Sequence, residues 1–291
     1  IPFNDNGDHF GMRDYHVFSM DDPNTENVLD HGVALDIKDV KWAERQMWAP
    51  DIAKKGSNYF FYFPAKDYDG IFKIGVAVGK SPEGPFIPEK EPIKGSYSID
   101  PAVFKDTDKD YYMYFGGIWG GQLQKYRNNK YHIKNNLRND NEQALGPLVS
   151  KLSDDMKGFT EEPREVLILD KNGDPLLAGD NKRRYFEGPW VHKYNKKYYL
   201  SYSTGDTHFI CYAIGDNPYG PFTYAGKILE PVIGWTTHHS ICEFEGRWYL
   251  FYHDSILSEG VTHLRSIKVT ELFYDDLNKI KTINPYKNLL L

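Results

Sequence analysis

Cysteine, basic charge and long apolar runs are scarce in this sequence. Cys211 and Cys242 are the two cysteines among 291 residues, which excludes a disulfide scaffold, and they lack the C-x-x-C spacing of a structural zinc site. Each lies in an apolar run, so we expect two buried thiols. The net charge of -6 leaves no basic footprint for nucleic acid, and no apolar run approaches the roughly 18 residues of a membrane span. We therefore expect neither nucleic acid nor a membrane as a partner. The location stays open, with the cytoplasm preferred over export.

Aromatic residues are abundant, and they recur in a pattern. With 22 Tyr and 17 Phe, the composition favours strands over helices. Four segments each read as a short strand, a polar turn and an aromatic strand, which is the pattern of a β-hairpin. These segments span residues 48–63, 100–115, 187–202 and 238–253. A second shared unit, S/N-P-x-G-P-F, occurs at 81–86 and 217–222 and predicts a turn followed by a further strand.

The spacing of the repeats predicts the fold class. A period of about 50 residues with four strands per repeat is typical of β-propeller blades, and we favour this fold over a twisted sandwich. Blades II to V are predicted over 48–93, 98–170, 187–230 and 238–283, and residues 13–35 are predicted to be the outer half of blade I. We expect the inner half upstream of Ile1; the alternative is that residues 284–291 complete the blade. Residues 116–146 are polar and irregular, so they are predicted to form a long surface loop inside blade III.

The first residues of the four hairpins are the candidate functional residues. Innermost strands of a propeller surround its axis, so Trp48, Asp100, Glu187 and His238 are expected around one depression. Two carboxylates in an aromatic pocket suit glycoside hydrolysis. Burial among the neighbouring aromatic side chains is expected to raise the pKa of Glu187, as a proton donor requires. The indole of Trp48 offers a flat face for a sugar ring.

At these residues the sequence resembles glycoside hydrolase family 43, from about Asp14 to Thr282. The motifs that carry the resemblance are "QMWAPD" at 46–51, "GSYSIDPAVFKD" at 95–106, "YFEGPWVHK" at 185–193, "THHSICEF" at 237–244 and "HLRSIKVTEL" at 263–272. The resemblance implies a single five-bladed catalytic propeller domain over residues 1–291. It also implies an inverting enzyme that acts on plant cell-wall xylan, arabinoxylan or arabinan.

The resemblance also implies a role for individual residues. Glu187 resembles the general acid and Asp100 the aspartate that tunes that acid. Trp48 and Asp51 match the wall of the sugar subsite, and Arg265 resembles an arginine that reaches the pocket from the last blade. His238, rather than His239, resembles the axial histidine that attends a calcium ion. The general base of the family lies on the innermost strand of blade I, so we expect it upstream of Ile1 and assign it to none of Asp5, Asp8 and Asp14.

The predicted function is exo-acting release of single pentoses, α-L-arabinofuranosyl and also β-D-xylosyl, from arabinoxylan or its oligosaccharides. One alternative is an endo-arabinanase, which product sizes would distinguish. A second is a propeller that binds pentoses without cleaving them, if the base is absent. A WD or kelch interaction propeller is disfavoured because the dipeptide signatures of those blades are missing.

Overall fold

The structure is a computed structural model that describes residues 10–25, 27–106, 109–134, 137–235 and 238–287. The chain divides into two compact units, one formed by Ile1–Asn136 with Leu148–Arg164 and the other by Leu137–Pro147 with Glu165–Leu291. We call them the first and the second unit. In the described parts of both units every extended regular element is a strand, and each helix is a three-residue 3₁₀ turn. The predicted all-β class is therefore confirmed.

The described residues of the first unit form three antiparallel sheets and a small hairpin. Its strands are β1 (Asp14–Ser19), β2 (Leu29–Asp36), β3 (Ala43–Arg45), β4 (Asp51–Lys55), β5 (Asn58–Asp67), β6 (Phe72–Gly79), β7 (Ile87–Pro88), β8 (Ala102–Lys105), β9 (Tyr111–Phe115), β10 (Tyr126–Arg127), β11 (Lys130–Tyr131) and β12 (Leu148–Lys151). The sheets are β1-β2, β3-β5-β6-β7 with β4 also paired to β5, and β8-β9-β12, while β10 pairs with β11. Strand β13 (Arg164–Glu165) lies at the boundary between the units.

The second unit contains two sheets. Its strands are β14 (Ile168–Leu169), β15 (Glu187–Tyr194), β16 (Lys197–Ser203), β17 (Ile210–Gly215), β18 (Phe222–Leu229), β19 (Ser240–Phe244), β20 (Arg247–Asp254) and β21 (Ser266–Leu272). One sheet has the order β14-β18-β17-β16-β15 and the other β19-β20-β21. Ile283 forms a bridge to Leu229 at the end of β18, and residues 288–291 lie outside the described residues.

The four predicted hairpins are confirmed as β4–β5, β8–β9, β15–β16 and β19–β20. Two of them close through two-residue turns in which both residues have positive φ, namely Asn195 with Lys196 and Glu245 with Gly246. Such turns match the twist of the flanking strands. The predicted outer half of blade I is the β1–β2 pair. The larger sheets are thus the up-and-down units from which propeller blades are built.

The core of each unit is built from the aromatic strands. Strand β5 is buried on both faces over most of its length, because its sheet is covered on both sides. The first core is centred on the buried side chains Tyr15, Leu35, Met47, Phe61 and Phe63. The second is centred on Tyr199, Ile210, Tyr212, Ile228 and Leu250. Among the described residues no helix has the length and apolar character to cross a bilayer.

Two expectations from the sequence are wrong. Cys211 is buried as expected, whereas Cys242 is exposed because it lies on the outward face of β19. The start of the predicted surface loop is also buried: Gln122, Leu123 and Gln124 are each less than 10% exposed. Gln122 receives a hydrogen bond from the N–H of Phe72 (3.0 Å) and donates one to the carbonyl of Gly70 (2.9 Å). These two hydrogen bonds offset the cost of burying the polar amide.

Candidate active site

Glu187 is the first residue of β15 and is half-buried. It lies opposite Ser203 of β16, and a bulge then shifts the register so that Trp190 faces Ser201. Gly188, inside this bulge, has a φ of +63°, and a Cβ added there would lie 3.3 Å from Nδ1 of His238. Bulges are common beside active sites because they redirect a side chain. Here the bulge brings the chain next to Glu187 against the imidazole of His238.

The segment before Glu187 is held in place by the end of β16 and the loop that follows it. The amide of Phe186 donates to the carbonyl of Ser203 at 2.9 Å, and both Tyr185 and Phe186 are buried. Gly205 has a φ of +76°, and a Cβ at this position would overlap the ring of Phe186. A glycine is therefore required at position 205 for sterics as well as for backbone conformation. The aromatic surroundings expected for Glu187 are present in the second unit.

His238 is half-buried two residues before β19. Burial lowers the pKa of its imidazole to about 4; the Glu187 carboxylate opposes this shift and the Arg265 guanidinium adds to it. The ring is therefore neutral at neutral pH, and the Glu187 carboxyl group and the Arg265 guanidinium are its neighbours. Glu187, His238 and Arg265, three of the predicted site residues, are thus brought together within the second unit.

Two further histidines, His239 and His253, are neighbours of His238. The backbone N–H of His238 donates to Nε2 of His253 at 3.0 Å. His239 is buried, and its Nε2 shares a hydrogen bond of 2.6 Å with Oγ of Ser201. Burial lowers the pKa of both His239 and His253 well below the usual value. His239 therefore has a core partner, whereas His238 faces the acid. The sequence analysis missed His253, because a histidine within an aromatic strand carries no local signal of a site.

Asp100 is buried in the first unit, two residues before β8. Its φ of +58° lies in the left-handed region, which few residues other than glycine adopt and which Asp and Asn tolerate best. Its carboxylate and burial together raise the pKa of Tyr15, with burial the larger cause. Strained backbone of this kind clusters at functional sites, so the surroundings that maintain it are informative.

Residues 116–121 maintain the loop that carries Asp100. Oγ of Ser98 donates to the carbonyl of Gly121 at 2.5 Å and receives the N–H of Gly117 at 3.0 Å. The amide of Gly116 donates to the carbonyl of Ile99 at 2.7 Å. A Cβ at Gly121 would lie 2.6 Å from Cδ1 of Ile99. The segment therefore packs without clearance against the residues just before Asp100.

The same segment contacts Trp48. A Cβ at Gly120 would lie 3.2 Å from Cη2 of the indole. Nε1 of Trp48 donates to the carbonyl of Phe10 at 2.8 Å, and its own carbonyl accepts the hydroxyl of Tyr15 at 2.5 Å. Trp48 is half-buried and fixed at both its ring and its backbone. Tyr15 thus joins Trp48 and the surroundings of Asp100, a link that sequence reasoning missed.

Asp51 is half-buried at the start of β4. Its Oδ2 accepts the amide of Val103 at 2.6 Å, which ties β4 to β8. Burial raises the pKa of Asp51 to about 7, although hydrogen bonds from the amides of Val103 and Ile52 act in the opposite direction. Trp48, Asp51 and Asp100 therefore lie in the first unit, and Asp51 makes a structural contact there.

His238 is the residue predicted to attend a calcium ion. Calcium takes six to eight oxygen ligands. In the described part of the chain no three His, Cys, Asp or Glu side chains are arranged to hold a metal ion. His238 supplies one neutral imidazole, and Arg265 brings a positive charge near it. A calcium ion attended by His238 stays a prediction.

The comparison with known proteins extends over nearly the whole chain. Residues 24–276 match the family model described as glycosyl hydrolases family 43. The chain is 61% identical over 283 residues to a xylosidase/arabinosidase of Bacteroides ovatus, covering 97% of this chain and 87% of that protein. It is 55% identical over 282 residues to a β-xylosidase of Xylanibacter ruminicola, covering 97% and 88%. A crystal structure of a GH43 β-xylosidase/α-arabinofuranosidase from a compost microbial metagenome, complexed with xylotriose in a calcium-free form, is similar with a TM-score of 0.94 and 64% identity, covering 98% and 87%.

Proposed function

Because the chain belongs to glycosyl hydrolase family 43, we propose that it releases single pentoses, β-D-xylosyl and α-L-arabinofuranosyl, from the ends of xylan- or arabinoxylan-derived oligosaccharides. The support for the substrate class is that relatives at 55–61% identity carry the names xylosidase/arabinosidase and β-xylosidase. The two pentoses present similar hydroxyl patterns, so one pocket accepts both. Release from chain ends with inversion is part of the proposal.

The observation that carries the proposal is the position of Glu187 beside His238 and Arg265. Glu187 is half-buried next to two buried aromatic residues, Tyr185 and Phe186. We assign it the role of general acid that protonates the glycosidic oxygen. The neutral imidazole of His238 does not compete for this proton, because burial keeps its pKa near 4.

Asp100 is assigned a supporting role. We assign it the role of the aspartate that tunes the pKa of the acid and orients the sugar, since a second carboxylate in a site raises the pKa of the first. A general base would activate water on the opposite face of the sugar, with roughly 6.5–9.5 Å between the two carboxyl groups of base and acid for an inverting reaction. We assign the base to no residue of this sequence. Asp14 lies at the start of β1, and Asp5 and Asp8 lie outside the described residues.

The wider arrangement completes the proposal. We assign the β1–β2 pair and the larger sheets of the described residues to the blades of one five-bladed catalytic domain, which their order along the chain supports. We assign Trp48 and Asp51 to the wall of the sugar subsite, and Arg265 to a sugar contact. Fixation of the Trp48 indole at its Nε1 supports a stacking role.

The test of the acid assignment is Glu187→Ala in the full chain. The variant is expected to lose nearly all hydrolysis of xylobiose, whose leaving group needs a proton, yet to keep part of its activity on 2,4-dinitrophenyl β-xyloside, whose leaving group does not. Equal loss on both substrates would remove Glu187 from this role. Product analysis on xylohexaose and arabinan separates the alternatives. Monosaccharides support exo action, larger oligosaccharides indicate an endo enzyme, and binding without cleavage indicates a binding propeller.

A further inference from the structure

His253 makes an unusual contact at the end of the β19–β20 ladder. The paired residues run from Phe244 opposite Arg247 to Ser240 opposite Phe251. If the register continued for two more residues, His238 would lie opposite His253. The backbone N–H of His238 instead donates to the side chain of His253, at Nε2, with a distance of 3.0 Å. The imidazole thus takes the place of the next backbone partner at the point where the strand ends.

This hydrogen bond determines the tautomer of His253. A ring nitrogen that accepts an N–H carries no proton, so the proton of the neutral ring is on Nδ1. Glutamine reproduces such an acceptor with its amide oxygen, whereas leucine of similar volume does not. Position 253 therefore requires a side chain with a hydrogen-bond acceptor, and substitution tests this requirement directly.

The register of the neighbouring β20–β21 pair places Arg265 on the same face of the sheet as His253. His253 lies opposite Ile267 and Asp254 lies opposite Ser266, so Arg265 precedes the last pair by one residue. Side chains alternate between faces along a strand, and Arg265 therefore falls on the face of His253 and not on that of Asp254. Asp254 is buried on the other face, where its Oδ1 accepts the hydroxyl of Ser266 at 3.3 Å.

We propose that His253 is a positioning residue of the active site, which holds the main chain of His238 so that its imidazole stays against the Glu187 segment. The inference rests on the proposed function. The imidazole of His238 occupies the space beside Gly188, the residue next to the acid, because a Cβ added to Gly188 would lie only 3.3 Å from its Nδ1. Displacement by about 1 Å of a group that positions an active site costs about 100-fold in rate. His253 acts through His238 and touches no reacting atom.

The experiment compares His253→Gln and His253→Leu with Tyr274→Phe as a matched control. Tyr274→Phe removes the hydroxyl that bonds Nε2 of the buried His192 at 2.7 Å, a histidine contact of the second unit in which none of Glu187, His238 and Arg265 takes part. For each variant we would measure Tm, kcat and KM on 4-nitrophenyl β-xyloside, and the hydrogen exchange rate of the His238 amide by NMR.

The expected pattern separates positioning from general stability. In His253→Leu the His238 amide should exchange its hydrogen with solvent at least about 10-fold faster, because the amide has lost its hydrogen-bond acceptor and is accessible to water. It should also lower kcat about 10- to 100-fold, with KM changed less than about twofold. His253→Gln should restore amide protection and most of kcat. Tyr274→Phe should lower Tm without changing either readout.

Three results would overturn the proposal. They are unchanged exchange of the His238 amide in His253→Leu, equal loss of kcat in the Gln and Leu variants, and a loss of kcat in Tyr274→Phe that matches its loss in His253→Leu. If His253→Leu does not fold, a folded His253→Gln variant in which the His238 amide exchanges fast refutes the positioning role of His253 equally well. A wild-type enzyme that cleaves no pentoside would refute the proposed function, while exchange of the His238 amide would still test whether His253 holds the main chain of His238.

Discussion

Replacement of Asp51 by asparagine is predicted to make the protein less sensitive to rising pH. Burial raises the pKa of this carboxyl from 3.8 to about 7 in the folded chain. In the unfolded chain the group ionises near its ordinary value. Between these two pKa values the folded state holds a proton that the unfolded state has released. Stability therefore falls as pH rises through this window, and the loss is complete above the folded pKa.

The size of the effect follows from the shift. One pKa unit corresponds to about 1.4 kcal/mol, so the ionised Asp51 costs at most about 4 kcal/mol above pH 7. At pH 5 the cost is about 1.6 kcal/mol, because that pH lies only slightly above the unfolded pKa. The amide of the substituted asparagine cannot ionise and still offers an oxygen to the N–H of Val103. The free energy of unfolding of Asp51→Asn relative to wild type should therefore rise by about 2–3 kcal/mol between pH 5 and pH 8.

Urea unfolding followed by tryptophan fluorescence at pH 5, 6, 7 and 8 measures this difference. Any change in hydrogen bonding adds a constant offset, so the slope with pH is the test. Asp155→Asn is the control. Its carboxylate accepts the hydroxyl of Ser153 at 2.6 Å and the amide of Lys157 at 3.1 Å, which lower its pKa, so the difference from wild type should be flat in this range. Parallel pH curves for Asp51→Asn and wild type would refute the reasoning.

Three more predictions concern the parts that support the site. Gly205→Ala should lose about 1–3 kcal/mol of stability, because its methyl group overlaps the ring of Phe186 at a positive φ; an unchanged urea midpoint would contradict this. Ser98→Ala should cost about 1–3 kcal/mol and lower kcat by releasing the loop before Asp100, and a variant with wild-type kcat would show that this loop does not need the hydroxyl. If calcium attends His238, EDTA should lower Tm and added calcium should restore it, whereas an unchanged Tm would remove calcium from the site.

The family and the hairpins were predictable from the sequence because aromatic strands and motif residues are local signals. The prediction of a family 43 glycoside hydrolase is confirmed by relatives that match almost the whole chain. The burial of Gln122 was not predictable, since polarity suggests exposure unless the partners of the amide, here Phe72 and Gly70, are known. The left-handed backbone conformation of Asp100 was not predictable from the sequence either. It is maintained by contacts from residues that follow Asp100 by more than 15 positions.

The predicted roles depend on contacts that the sequence does not encode locally. Glu187 and His238 are 51 positions apart, and only the bulge at Gly188 reveals that they are neighbours. Asp51 matches a motif of the sugar subsite, yet its carboxylate is bonded to the amide of Val103. Its role toward substrate stays a prediction, as do the roles of Asp100, Trp48, Arg265 and the calcium ion.

The glycine-rich stretch at 116–121 has a consequence for engineering this enzyme. Because it abuts both the indole of Trp48 and the turn before Asp100, it couples the two residues mechanically. Exchanging it for the corresponding stretch of another enzyme would disturb two components at once, even if the graft looked like a peripheral change. Substitutions at the exposed positions 132–134, 137 and 139–143, which lie downstream of the stretch, would leave this coupling intact.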